Sequence, residues 1–194
     1  MRAINDQVNV VVSLLLDALE EISEPGSKTY LDDESESWQE QSDGRIENCT
    51  NRGSIDADVD VGGIAGAMAV ENLLDPEDDN LQDSGSLLTT GYTVSAVAVN
   101  CLNEGAVTAK KKASGGIVGR MDLGLVLNAE NYGAVTGGDQ VGGIAGAASA
   151  KIQSSWAKCD LSGGSYVGGI LGQGTKSDTT KGSSSVVDCR ALVD

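Results

Sequence analysis

Few residues in this 194-residue sequence have the type and spacing to support chemistry. Ser155-Trp156-Ala157-Lys158 spells Ser-x-x-Lys, which on a helix sets a lysine beside a nucleophilic serine. Here the tetrapeptide falls on an expected strand and corner, and neither Ser-Asp-Asn nor Lys-Thr-Gly accompanies it. The glycine-rich run from Gly169 ends in Thr175-Lys176-Ser177 and approximates a phosphate loop. Its lysine comes one residue late and no helix is expected to follow. Two acidic runs, Asp75, Glu77, Asp78, Asp79 and Asp56, Asp58, Asp60, offer the oxygens that calcium takes. Neither has EF-hand spacing or a tandem nonapeptide pattern, so both are expected to be solvated loops. Calcium is the one cofactor considered, and weakly; no catalytic, cofactor-binding or metal-ligating residue is assigned.

Composition narrows the chemistry further. The sequence has no His, which removes Ser-His-Asp and Cys-His activation, His-containing zinc sites and imidazole acid–base work. Cys49, Cys101, Cys159 and Cys189 include no Cys-x-x-Cys pair, so thiolate chelation is not expected. Asn48-Cys49-Thr50 is a formal glycosylation sequon. With 13 basic and 29 acidic side chains the net charge is −16, which argues against nucleic acid and anionic membranes as partners. No run of about 18 apolar residues is long enough to cross a bilayer. The N-terminus does not read as a signal peptide, because Asp6 and Asp17 interrupt its apolar stretch. The chain is not expected to be an enzyme.

The elements that would position any site come from repetition. Val61-Gly62-Gly63-Ile64-Ala65-Gly66 recurs as Ser114–Gly119, as Val141–Gly146 and as Val167–Gly172. Each copy follows a recurring prelude: Ile46–Ile55, Ala98–Val107, Val126–Val135 and Ile152–Leu161. A fifth prelude begins at Val186-Val187-Asp188-Cys189. The glycine pairs at 115, 142 and 168 are spaced by 27 and 26 residues, whereas 62 to 115 is 53. A 26-residue unit of short runs with Gly and Asn corners suits one turn of a parallel β-solenoid. The 26 glycines and the lack of a 3.6-residue period inside a unit exclude helical repeats. With no Phe and two Trp, the core is expected to be thin and aliphatic.

In register, the slots acquire physical meaning. Ile64, Ile117, Ile144 and Ile170 should form an inward ladder, as should Ile55, Val107, Val135 and Leu161. Strands are expected near Ile46–Cys49, Ser54–Asp56 and Val61–Ala65. Asn51, Asn103 and Asn131 precede a Gly by two, and should occupy a left-handed corner and stack as an amide ladder. The fourth copy has Ala157 and Cys159 in the Asn and Gly slots. Cys49 and Cys101 share a slot with Ala129 and Ser155. On adjacent rungs about 4.8 Å apart they allow a disulfide without requiring one.

Three segments lie outside the repeat. Residues 1–26 carry an apolar face at Ile4, Val8, Val11, Val12, Leu15, Leu19 and Ile22, expected as an α-helix over 4–22 that caps the solenoid. Residues 27–43 read as an acidic connector that Trp38 pins to the body. The doubled gap is assigned to a loop insertion at about 70–94, around Asp75-Pro76-Glu77-Asp78-Asp79. Lys110-Lys111-Lys112 is expected at an exposed corner, neutralising nearby acid. Trp156, Tyr132 and Tyr166 offer faces on which sugars could stack.

The repeated Val-Gly-Gly-Ile-Ala-Gly, with its Asn-x-Gly and small-residue prelude, resembles the GLUG repeat over about residues 44–194. That resemblance implies a right-handed parallel β-helix in a large secreted or wall-attached bacterial protein. Such repeats accompany some IgA-cleaving metallopeptidases, but no peptidase motif occurs here. The expected whole is an all-β solenoid, a right-handed parallel β-helix with an N-terminal capping α-helix. Its expected role is a structural or adhesive module that meets a host glycan, a host protein or neighbouring domains of its parent. The alternative is a polysaccharide-acting lyase or hydrolase of β-helix fold.

Overall fold

A computed structural model describes residues 31–40, 43–70, 92–177, 180 and 182–194. The helix expected over 4–22 and the acids at 75–79 lie outside the described residues. Nearly everything described is parallel β-sheet, in a β-helix-like arrangement of stacked coils. Each full coil contributes to four rows of strands. The first row stacks Arg45–Glu47, Val97–Val99, Leu125–Leu127, Lys151–Gln153 and Ser185–Val187. The second stacks Thr50–Asn51, Leu102–Asn103, Glu130–Asn131, Trp156–Cys159 and Arg190–Val193. The third begins with Ile55–Gly62 and Val107–Gly115 and continues as the pairs Val135–Thr136 with Asp139–Gly142 and Leu161–Ser162 with Ser165–Gly168. The fourth stacks Ala65–Met68, Val118–Met121, Ala145–Ala148 and Leu171–Gly174.

Register follows the sequence repeat. Ile46 pairs with Ala98, Val126 with Ala98 and with Ile152, and Ile152 with Val186. The 62-to-115 gap is bridged by direct pairing, Gly62 with Gly115, so the first two coils are immediate neighbours. The 53-residue spacing also contains a local irregularity. Ala57 pairs with Ala109 but Val59 pairs with Lys112, so Asp58 faces both Lys110 and Lys111 across a β-bulge.

The core is aliphatic and thin. Ile117, Ile144, Val126, Ile152 and Met121 are fully enclosed in its main cluster, with Ile64 and Ile170 packed on it and half-exposed in the outer coils. Val107 and Val135 form a second buried cluster with Val61, Ala109 and Val141, flanked by Ile55 and Leu161. Both expected aliphatic ladders are therefore present. Their inner members are sealed because coils lie above and below them.

The single strand expected over Val61–Ala65 is instead broken by a corner. Val61 and Gly62 end the third row, the chain bends at Gly63–Ile64, and Ala65 opens the fourth row. The backbone of Ile64 and Ala65 donates to the single carbonyl of Ile117, and that of Ile117 and Val118 to Ile144. A bend cannot continue a strand ladder, and this shared acceptor keeps its N–H groups satisfied. The second glycine sits where neighbouring coils touch closely. A Cβ on Gly116 would collide with the Gly143 carbonyl oxygen and with the side chain of Asn131.

That asparagine belongs to the ladder. Asn51 Nδ2 donates to Asn103 Oδ1 at 2.8 Å, and Asn103 Nδ2 to Asn131 Oδ1 at 2.7 Å. Each amide also closes a local turn: Asn103 donates to the Gly105 carbonyl at 2.8 Å and accepts from its N–H at 3.3 Å. The expected left-handed conformation lies elsewhere, three residues earlier, at Asn48 (φ 57°), Asn100 (φ 53°), Asn128 (φ 52°), Ser154 (φ 51°) and Asp188 (φ 52°). A second left-handed column runs through Asp60, Ala113, Gln140 and Tyr166. The ladder asparagines lie within second-row strands, whose extended backbone leaves the turning to the residues before them.

The acidic stretch before the first coil is structured where described. Leu31–Asp33 pairs in parallel with Tyr92–Val94, and a short 3-10 helix spans Ser35–Glu40. Trp38 and Leu127 pack on the cluster of Val97, Val99 and Leu125 on the first row, and the Arg45 guanidinium stacks 4.7 Å from the Trp38 ring centre. Asp33 accepts from the backbone of Gly124 at 2.8 Å and of Ser35 at 3.0 Å, while buried Ser35 Oγ accepts from Ala96 N at 2.9 Å. Two corner N–H groups of consecutive coils thus depend on this segment.

Two substitutions test the construction. Asn103→Ala strands both polar groups of Gly105 and breaks the ladder, and should cost about 2–3 kcal/mol in urea unfolding. A loss below about 0.5 kcal/mol would show that the ladder adds nothing net. Asp33→Ala should cost about 1–2 kcal/mol by the same measurement, since the Gly124 and Ser35 N–H groups lose their acceptor.

Candidate functional site

The stacking interactions consume the polar groups that sequence inspection singled out. Ser155 is buried; its Oγ donates to the Gln153 carbonyl at 2.9 Å and accepts from Ala129 N at 3.2 Å. Lys158 is exposed on the opposite side of the same strand, so no serine–lysine pair forms. Gly169 to Gly174 runs through a bend into the fourth-row strand, and an antiparallel bridge joins Lys176 to Ser183 in the excursion that follows. Buried Ser177 accepts from Thr180 N at 3.2 Å. Among the described residues no helix starts there to present backbone N–H groups to phosphate.

The Asp56, Asp58, Asp60 run is engaged with cations. Lys110 Nζ lies 3.7 Å from Asp56 and 3.5 Å from Asp58, and Lys111 Nζ lies 3.3 Å from Asp58. The hydrogen bond and charge of Lys111, then the charge of Lys110, hold the Asp58 carboxyl below its ordinary range. Arg120 lies 3.3 Å from Asp60 and 3.5 Å from Asp122. Although one oxygen of Asp60 and the Arg120 Nε are buried without a well-aligned hydrogen bond, the ion pair gives both an electrostatic partner. Among the described residues no three His, Cys, Asp or Glu side chains converge as a metal site.

The cysteines are free. Cys49, Cys101 and Cys189 occupy the Ala129 and Ser155 slot. There a thiol donates to its own coil, Cys101 to the Val99 carbonyl at 3.3 Å and Cys189 to the Val187 carbonyl at 3.2 Å. Cys159 occupies the Gly slot instead. It compensates for Ala157, since its sulfur accepts from Asn131 Nδ2 at 3.3 Å where an asparagine oxygen is missing. Burial pushes the Cys101, Cys159 and Cys189 thiols up, which keeps them protonated and poorly nucleophilic.

What remains outside the stacking network is the outer face of the second row. Odd and even positions separate cleanly: Asn103, Asn131 and Ala157 are buried while Glu130, Tyr132, Trp156 and Lys158 are exposed. Pairing of Glu130 with Trp156 and of Trp156 with Arg190 sets three of these side chains in a column. Tyr132 and Lys158, each two residues further along, continue the same register. Trp156 is 38% and Tyr132 46% exposed, unusual for rings in a chain so poor in aromatics. Tyr132 Oη donates to Glu130 at 2.6 Å, and that hydrogen bond raises the phenol above its ordinary range. The Arg190 guanidinium lies 6.0 Å from the centre of the Trp156 ring. Further toward the first coil, Arg52 and Glu104 pair at 2.7 Å. Tyr166, 60% exposed, stands apart on the left-handed corner before Val167.

Sequence inspection named Trp156 and Tyr132 but not their common face or the charged groups around them. The register that unites them becomes visible only after the two-residue strands of the second row are recognised. No family model, curated protein or solved structure matches this chain.

The thiol environments predict an order of reactivity with an aromatic disulfide reagent. Cys49, exposed, should react first and Cys189 more slowly, while Cys101 and Cys159 should react only on unfolding. Rapid native-state labelling of all four would contradict their burial.

Proposed function

We propose that this chain is a non-catalytic structural and adhesive module of a larger secreted or wall-attached bacterial protein, a right-handed parallel β-helix of the GLUG kind. On this reading the segment before residue 27 caps one end of the stack. The stack serves as a stiff support, and the outer face of the second row makes contact with a glycan or protein partner. The observation that carries the reading is the display of Trp156 and Tyr132 on adjacent strands of a rigid parallel sheet. Exposed aromatic rings are costly to leave in water and are suited to contact with another surface.

Two further features support a binding role over an enzymatic one. The carboxylates of Asp56, Asp58 and Asp60 face lysine and arginine, leaving them poorly placed to act as a general acid and base pair. Ser155 is inward and hydrogen-bonded, and three of the thiols are held protonated.

A glycan and matrix-protein array tests the reading. The wild-type chain should be retained on at least one class of ligand, and Trp156→Ala with Tyr132→Ala should reduce retention at least tenfold. Both side chains lie on the surface, so the double variant should melt within about 4 °C of wild type. Retention unaffected by the double substitution would refute the assignment of this face. Turnover of a polysaccharide in a calcium-supplemented lyase and hydrolase screen would refute the non-catalytic reading.

A further inference from the structure

Trp156 stands between side chains of different charge and hydrogen-bonding character. Among the described residues, most lysines and arginines are matched to acids: Arg45 with Glu47, Arg52 with Glu104, Lys110 and Lys111 with Asp58, Arg120 with Asp60, and Lys151 with Glu36. Lys112, Lys158, Lys176 and Arg190 have no such ion pair, and two of these four, Lys158 and Arg190, flank Trp156. Lys158 follows it by two on the same strand, on the same exposed side, and Arg190 is its direct partner on the next strand. On the opposite side Trp156 is paired with Glu130, whose carboxylate is engaged by the Tyr132 hydroxyl. The ring therefore lies between Glu130 on one neighbouring strand and Arg190 on the other, with Lys158 alongside on its own strand. In a chain of net charge −16, two neighbouring cations without acid partners beside an exposed indole call for an anionic partner.

We propose that this face binds a carboxylate-bearing pyranose, as in a uronic-acid oligosaccharide, with the sugar stacked on Trp156. The weakly positive C–H face of a pyranose complements the electron-rich face of the indole. The sugar carboxylate turns to Arg190 and Lys158, where charge-assisted hydrogen bonds form, and ring hydroxyls turn to Glu130 and Tyr132. Strand spacing of about 4.8 Å carries the next side chains along the row to meet a neighbouring sugar unit. Repulsion from acids beyond about 8 Å is screened at physiological ionic strength, while Asp160 and Asp188, each two residues along from one of these cations, border the site. This assignment rests on the adhesive reading above and names its ligand.

The test uses the whole chain and two acidic probes, tetragalacturonate and a hyaluronan tetrasaccharide, with fully methyl-esterified forms of each as neutral counterparts. Tryptophan fluorescence and calorimetry follow the titrations. At least one acidic probe should bind, with affinity at least tenfold above its ester. Arg190→Gln and Lys158→Gln should each weaken the acidic complex three- to tenfold and leave binding of the ester unchanged. Trp156→Ala should abolish both. Equal affinity for acid and ester, or glutamine variants that bind the acid as wild type does, would overturn the acidic-sugar assignment while the adhesive reading stands. Failure of both acidic probes to bind would overturn it as well, and the array result then decides the adhesive reading separately.

Discussion

Everything in this fold depends on how closely one coil can approach the next. One place that sets the approach is where the second glycine of each Gly-Gly pair meets the following coil. Gly63 faces the Gly116 carbonyl and the Asn103 side chain, Gly116 faces Gly143 and Asn131, and Gly143 faces Gly169 and Ala157. A side chain on any of them would wedge the coils apart and break the in-register pairing on all four rows. The glycine and the asparagine are thus a single device: one removes bulk so that the other can sit beneath it and hydrogen-bond along the stack. Aliphatic burial stabilises the result, but the spacing that permits that burial is set by this contact.

The same device accounts for the chemical quiet of the interior. A buried amide, hydroxyl or thiol is tolerated in a thin core only if its hydrogen bonds are complete. Asn103, Asn131, Ser155 and Cys101 meet that condition by pairing along the stack or with their own coil. Groups so engaged are not free to act on a ligand. Whatever the molecule recognises must be met from outside, where alternate residues of each strand are not committed to stacking.

The repeat made much of this legible from sequence. Gly-Gly-Ile recurs with an unmistakable spacing, so both aliphatic ladders and the asparagine stack could be placed by position alone. The two left-handed columns could not. Asp60, Ala113, Gln140 and Tyr166 share a conformation without sharing a chemistry, because the strain is imposed by a kink common to the third-row strands and tolerated by whichever residue stands there. Strands of two residues, such as Thr50–Asn51 and Leu102–Asn103, are too short to show alternation, so the second row and its outer face went unseen. The bulge at Lys110 and Lys111 left a trace in the spacing from Val107 to Gly115, eight residues where Ile55 to Gly62, Val135 to Gly142 and Leu161 to Gly168 each span seven, but a trace of that size has a meaning only once the partner strand is known.

The exchange of Ala157 and Cys159 for asparagine and glycine has a consequence for how the molecule comes apart. Between the first three coils the column is held by amide-to-amide hydrogen bonds. Between the third and fourth it is held by an amide bonded to a sulfur, a weaker acceptor, and beyond that Ala191 offers no side-chain partner. In a one-dimensional stack each interface contributes its own share of stability. The gradient gives the array a direction: under load or mild denaturant the coils peel from the Cys159 side, and the segment around Asn103 is the last to let go.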